Sequence, residues 1–311
     1  MKRIVLLAFF TLLVSVLRAQ ETVPQTYKFA VRDTASLYLD YYRAAHPNGM
    51  GYTVIYIFGG GFYHGERNGE MGVQYARLLN ERGYDVACID YRLGLRGANM
   101  KGLHVIKSLE NAISMAVEDL FAATAYLVEH AAELGIDPAK FIVCGSSAGA
   151  VTALQADYEL GNAMERSRIL PEGFRYAGIL SFAGAIFSRN GAVKYTVQSP
   201  APTFFNHGTE DHLVTYKSIR FGNLGFFGAN ALIKRFEKAG YPYFARRYEG
   251  LGHEPSALMV HCIDITEWFI QQYVVQKRPL RIDETVRDPQ VKPWSWGKTR
   301  ATILYNKRLK K

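Results

Sequence analysis

GIDPAKFIVCGSSAGA, residues 135–150, is the stretch that decides the architecture of this chain. Gly135 closes a helical stretch, residues 109–134, with Ala, Val and Leu at three- and four-residue spacings. Ile136-Asp137-Pro138 turns the chain into a short apolar strand, residues 140–144. Gly145-Ser146-Ser147-Ala148-Gly149 then fits G-x-S-x-G, and residues 148–157 read as helix. A sharp strand-to-helix turn of this kind lifts its central serine out of the sheet, and the glycines let strand and helix come close. In this register Ser147 is the nucleophile and Ser146 a flanking residue.

The surrounding pattern repeats the strand–helix alternation. Residues 53–58 (TVIYIF) and 85–90 (DVACID) are continuous apolar runs, expected as buried strands. Residues 72–82 carry helical spacing between them, closed by Gly83. Further strands are expected at 176–182, 203–206 and 243–247, with helices at 228–239 and 255–275. Ahead of these, residues 27–32 and 36–42 alternate polar and apolar around Asp33 and Thr34, as in an antiparallel hairpin. The expected fold class is α/β: a mostly parallel sheet with an antiparallel N-terminal hairpin and helices on both faces. Residues 160–175 stand outside the alternation and are expected as a small insertion over the site.

The remaining chemistry lies just past strand ends. Phe58-Gly59-Gly60-Gly61-Phe62 follows the first buried strand. Acyl transfer builds charge on a carbonyl oxygen, and each backbone N–H aimed at it lowers the barrier by about 3–4 kcal/mol. Gly60 and Gly61, with Ala148 after the nucleophile, are the expected oxyanion donors. A phosphate loop would need a Lys-Ser/Thr pair after the glycines, and none follows. Asn206-His207-Gly208-Thr209-Glu210-Asp211 supplies the acid, Asp211, with Glu210 as the alternative. Gly250-Leu251-Gly252-His253-Glu254 supplies the base, His253, chosen from eight histidines. Of the others, His64 is placed to line the pocket, His207 to make a structural hydrogen bond, and His104, His130 and His261 on the surface or in packing. The order Ser147, Asp211, His253 suits a nucleophile–acid–base set of this kind. The sequence has no HExxH and no CxxC, and this chemistry needs neither metal nor cofactor.

The ends differ from the middle. Lys2 and Arg3, an apolar run over residues 4–17 and Arg18-Ala19 read as a secretory signal peptide, residues 1–19, with an N-terminal anchor as the alternative. Export to the periplasm or the medium follows, and no further membrane contact is expected. The formal charge of +9 is carried by the ends: residues 277–311 hold +8 and residues 1–19 hold +3, which leaves −2 for the domain at 20–276. A nearly neutral body gives no basis for nucleic-acid binding. The basic extension at 277–311 is read as solvated and partly packed through Trp294, Trp296 and Ile303, or else as a binder of acidic polysaccharide or anionic membrane. Cys88, Cys144 and Cys262 form no CxxC or metal-like cluster and are read as buried free thiols, a Cys88–Cys144 bridge being the alternative. Oligomeric state is left open.

Together FGGGF (58–62), DYRLG (90–94), EDLFAA (118–123), residues 135–150, HGTED (207–211) and GLGHE (250–254) resemble the α/β-hydrolase superfamily. They are most similar to its carboxylesterase and hormone-sensitive-lipase-like branch, over roughly residues 27–275. The resemblance implies hydrolysis of short-chain or aryl esters through an acyl-enzyme, and its secreted members include feruloyl and acetyl-xylan esterases. It implies a supporting role for Asp119. One departure is Phe58, where the family's glycine loop begins with His, so that loop must be braced differently. The expected substrate is a small-molecule or polysaccharide-linked ester, with an aryl group stacking on Phe62, Tyr63, Phe187, Phe226 and Phe227. Rival expectations are a serine peptidase of prolyl-oligopeptidase type, whose usual propeller repeats are not visible here, and a non-catalytic protein on the same fold.

Overall fold

Two chain segments come close only where no side chain intervenes, and the sheet is built around one such place. The computed structural model describes residues 23–32, 35–102 and 104–300. The expected signal peptide, the hairpin tip at Asp33 and Thr34, and Ile303 lie outside the described residues. The chain runs β1 (Gln25–Arg32), β2 (Ala35–Tyr42), β3 (Thr53–Ile57), α1 (Glu70–Glu81), β4 (Asp85–Ile89), α2 (His104–Glu129), α3 (Ala131–Leu134), β5 (Phe141–Ser146), α4 (Ala148–Leu160) and β6 (Gly178–Phe182). It continues through β7 (Ala185–Ser188), β8 (Thr203–Gly208), β9 (Ser218–Phe221), β10 (Leu224–Gly228), α5 (Ala229–Ala239), β11 (Tyr243–Tyr248), α6 (Ile263–Phe269) and β12 (Arg281–Val286).

Nine strands form one sheet in the order β1-β2-β4-β3-β5-β6-β8-β11-β12. β1, β2 and β4 pair antiparallel; from β4 to β12 every neighbour is parallel. The fold is thus the expected α/β sheet with an N-terminal hairpin. β3, β5 and β6 are buried at every residue, which is why they read as unbroken apolar runs. Tyr75 of α1 lies beside Tyr56 and Cys144, whereas α4 lies against Gly145. Successive residues of a strand point to opposite faces, so α1 and α4 cover opposite faces of the sheet. α4 is buried at all thirteen positions, because α2 packs over it in turn.

The structure departs from the expectation at several places. The long helix expected to 134 breaks at His130 (φ −96°, ψ 15°), so α3 stands apart from α2. The helix expected over 255–275 is a 3-10 turn at Glu254–Ala257, then α6, then a π-helical stretch at Ile270–Val275. A second, three-stranded antiparallel sheet, β7-β10-β9, was not anticipated. Residues 160–175 do not cover the site: their 3-10 helix, Glu165–Ile169, packs on α2 and α4. The boundary expected at 276 does not hold either, because β12 extends the main sheet beside β11. Its acidic residues pair across the strands, Arg246 with Glu284 at 2.5 Å and Arg247 with Asp283 at 2.5 and 2.7 Å. Two of the charges of the expected tail, Asp283 and Glu284, are therefore partners in cross-strand ion pairs at a sheet edge. All three cysteines are free and buried. Cys88 and Cys144 both align with Tyr56, so β3 lies between them.

One buried charge has a consequence for stability. Asp157 of α4 accepts the Ala201 N–H at 3.2 Å and is almost fully buried. Burial pushes its carboxyl up to about 7, against the pull of that N–H and the Arg175 charge. The folded state therefore keeps a proton that the unfolded chain releases near pH 4. The stability this contributes is complete below about pH 4 and is lost as the pH rises to about 7. Asp157→Asn keeps an acceptor and removes the titration. Its stability relative to the wild type should rise by about 3 kcal/mol from pH 4.5 to 7.5 in urea unfolding. A pH-independent difference would show that Asp157 is ionised throughout.

Candidate active site

Ser147 sits between β5 and α4 with φ 51° and ψ −114°, a backbone conformation rarely adopted by a residue with a side chain. The flanking glycines permit it. A Cβ on Gly145 would lie 2.2 Å from the carbonyl carbon of Gly149, and one on Gly149 would lie 2.1 Å from the Ile57 oxygen. The Ser147 N–H is held by the Phe182 carbonyl at 2.8 Å. Asp211 follows β8, and His253 follows β11. His253 Nδ1–H donates to Asp211 Oδ2 at 2.7 Å, and its Nε2 lies 2.8 Å from Ser147 Oγ. Since the carboxylate can only accept, Nδ1 carries the proton and Nε2 is left to accept from the serine hydroxyl. The three side chains proposed from separate stretches of sequence are thus brought into one line, each less than a tenth exposed.

Two further threads hold this line. Ser146 Oγ donates to the Ser256 carbonyl at 2.6 Å, and Ser256 Oγ donates to the His253 carbonyl at 2.7 Å. The nucleophile turn and the histidine loop are therefore tied directly together. The expected oxyanion residues face the same cavity, of about 470 Å³, which Gly59, Gly60, Gly61 and Ala148 line together with Ser147 and His253. Ala148 opens α4, where backbone N–H groups lack partners within the helix. Gly60 has φ 120°, and a Cβ there would lie 1.8 Å from the His64 carbonyl oxygen. The Gly60 carbonyl accepts from the N–H groups of Tyr63 and His64 at 3.2 Å and from His64 Nδ1 at 2.6 Å. Phe58 stacks on Tyr91 at 4.3 Å, and the Tyr91 hydroxyl donates to the Phe58 carbonyl at 3.1 Å. These contacts brace the loop that begins at Phe58, where the resemblance implies a histidine.

The BD-FAE family model, of an α/β-hydrolase esterase family, matches residues 39–184, a span that holds the glycine loop and Ser147 but neither Asp211 nor His253. Among solved structures, esterase Est2 of the planctomycete Thermogutta terrifontis with propionate bound is similar at TM-score 0.58 and 20% identity, covering 81% of this chain and 95% of its own. Its native form matches at TM-score 0.57 and 21% identity, covering 81% and 92%. The same esterase phosphonylated by cyclosarin matches at TM-score 0.57 and 19% identity, covering 80% and 93%. No curated protein matches the chain. The chain has the α/β-hydrolase fold. The family match is to an esterase family of that fold, over less than half of the chain.

Other sequence-based placements in this chain vary in outcome. Asp119 is fully buried and takes the N–H and guanidinium of Arg92, fastening the loop after β4 to α2. Glu210 pairs with Lys298. His64 lines the cavity, His130 stacks on Tyr126, and His261 pairs with Asp288 at 2.9 Å. Of the five aromatics expected at the mouth, Phe62 and Phe226 line the cavity. Phe187 and Phe227 are buried in the small sheet instead. The aromatic lining that the sequence did not indicate is Trp294 and Trp296, from the supposed tail.

His207 does more than a general structural bond. Its Nε2–H points at the Val214 carbonyl at 2.9 Å and at Asp211 Oδ2 at 3.2 Å. Its Nδ1 is buried with no hydrogen-bond partner among the described residues, whereas its Nε2 carries the N–H that these two acceptors share. Asp211 Oδ1 takes the N–H groups of Leu213 and Val214 at 2.8 and 3.0 Å. Burial alone would raise the Asp211 carboxyl, but the His253 charge and the hydrogen bonds from His207 and His253 hold it well below the usual carboxylate range. His207 is thus a positioning residue for Asp211. A hydrogen bond to a buried carboxylate is worth about 1.5–3 kcal/mol. His207→Ala should therefore lower kcat about tenfold or more while His207→Gln, which can return an N–H, recovers part of it. Equal kcat in His207→Ala and the wild type would remove His207 from this role.

Proposed function

We propose that this hydrolase cleaves carboxylic esters through an acyl-enzyme on Ser147. The observation that carries this reading is the buried line from Asp211 through His253 to Ser147, with 2.7 and 2.8 Å links, opening on an apolar cavity. His253 Nε2 takes the Ser147 proton as Oγ attacks the ester carbonyl. The N–H groups of Gly60, Gly61 and Ala148 receive the developing oxyanion. His253 then protonates the leaving alcohol, and water, activated by the same imidazole, releases the acid. Asp211, kept ionised, stabilises the imidazolium in both halves.

Met71, Met100, Val105, Leu109 and Val151 line the cavity and suit a short or medium apolar acyl chain. The solved esterases of similar fold include a propionate-bound form, which favours a short acyl group. A polysaccharide-linked ester fits a cavity that opens beside the exposed Trp296. Export, from the basic start and apolar run of residues 1–19, belongs to the same proposal. Ser147→Ala should lower kcat on p-nitrophenyl acetate by at least about 10⁴-fold and abolish labelling by a fluorophosphonate. Retention of most activity or labelling in that variant would refute the assignment.

A further inference from the structure

The segment expected to be a basic extension brings two indoles to the mouth of the catalytic cavity. Trp294 and Trp296 stack with ring centres 4.6 Å apart and planes 30° apart, and both line the cavity that holds Ser147 and His253. Their segment is fastened to the histidine loop. The Trp294 N–H donates to Oε1 of buried Glu254 at 2.6 Å, and the His253 N–H donates to the Gly297 carbonyl at 2.8 Å. The approach leaves no room for side chains: a Cβ on Gly252 would lie 2.1 Å from the Gly297 oxygen, and one on Gly297 would lie 2.1 Å from Glu254 Oε1. The indoles are thus fixed relative to the catalytic imidazole, with the Trp296 and His253 ring centres 6.3 Å apart. Yet Trp296 remains 41% exposed. An indole anchored this firmly beside the reacting groups, and still open to solvent, offers a flat apolar face to whatever occupies the mouth.

The chemistry says which half of an ester that is. His253 Nε2 must deliver its proton to the oxygen of the leaving alcohol, so that oxygen lies within hydrogen-bond reach of the imidazole. The group borne on that oxygen extends from the His253 side, toward Trp296. The acyl group leaves the carbonyl carbon in the other direction. We propose that the Trp294–Trp296 pair is the subsite for the alcohol half of the substrate, and that it takes an alcohol carrying a ring with a flat apolar face, a pyranose or an arene. The C–H hydrogens of a pyranose face, or the edge or face of an arene, meet the electron-rich face of the indole. This inference rests on the ester-hydrolase reading of the same site.

The test compares the wild type, Trp296→Ala and Trp296→Phe on three acetates: ethyl acetate, benzyl acetate and an O-acetylated methyl pyranoside. All share the acyl group, so differences report on the alcohol. Trp296→Ala should lower the preference for a ring-bearing alcohol over ethyl acetate about tenfold, chiefly through KM, and Trp296→Phe should recover part of it. Whether the benzyl ester or the pyranoside loses its preference tells an arene subsite from a sugar subsite. Preferences within twofold of the wild type for both ring esters would overturn the proposal. If the wild type turns over none of the three, the ester-hydrolase reading fails on its own. The subsite is then read by indole fluorescence during titration with methyl pyranoside or benzyl alcohol. Saturable quenching lost in Trp296→Ala supports the proposal, and its absence in the wild type refutes it.

Discussion

The constraint on which this molecule depends is the contact between the start of α4 and the ends of β3 and β5. Gly145, Gly149 and the Ile57 carbonyl come together so closely that one added methyl group would meet backbone at little more than 2 Å. That contact forces Ser147 into a positive φ and raises its hydroxyl above the sheet. The strain is held by burial all around it: β3, β5, β6 and α4 are buried throughout. A turn of this kind persists only where the surrounding packing overdetermines it.

From that fixed serine the rest of the site is hung by short polar links. Ser146 and Ser256 tie the nucleophile turn to the histidine loop, and Gly297 and Glu254 tie that loop to the C-terminal segment. Asp211 enters from β8 already saturated by two backbone N–H groups and two imidazoles. Each link is modest by itself. Together they leave the imidazole little freedom, which is what proton transfer between fixed partners requires.

The sheet explains how residues so far apart in sequence meet. Ser147, Asp211 and His253 follow β5, β8 and β11, which run parallel, so their following loops emerge at one edge of the sheet. β12 adds a further parallel strand beside β11, and the chain leaving it returns across the same edge to bring Trp294 and Trp296 over the cavity. The C-terminal segment is in this way both the last strand of the core sheet and a wall of the site.

Local sequence alone determined the nucleophile turn, the glycine loop, the acid and the base. Each is a short motif whose chemistry lies within a few residues and follows a strand that is apolar throughout. The hairpin over 218–228 also carries a local signal, Gly222-Asn223 between two strand-like runs. By contrast, only the tertiary structure decided the place of residues 281–300. Arg281–Val286 looks like a solvated charged run until Asp283 and Glu284 are seen against Arg247 and Arg246 of β11. The same holds for His207 beside Asp211 and for the indoles beside His253. Their meaning comes from partners that are distant in the chain, and no spacing along a single segment encodes a contact across strands.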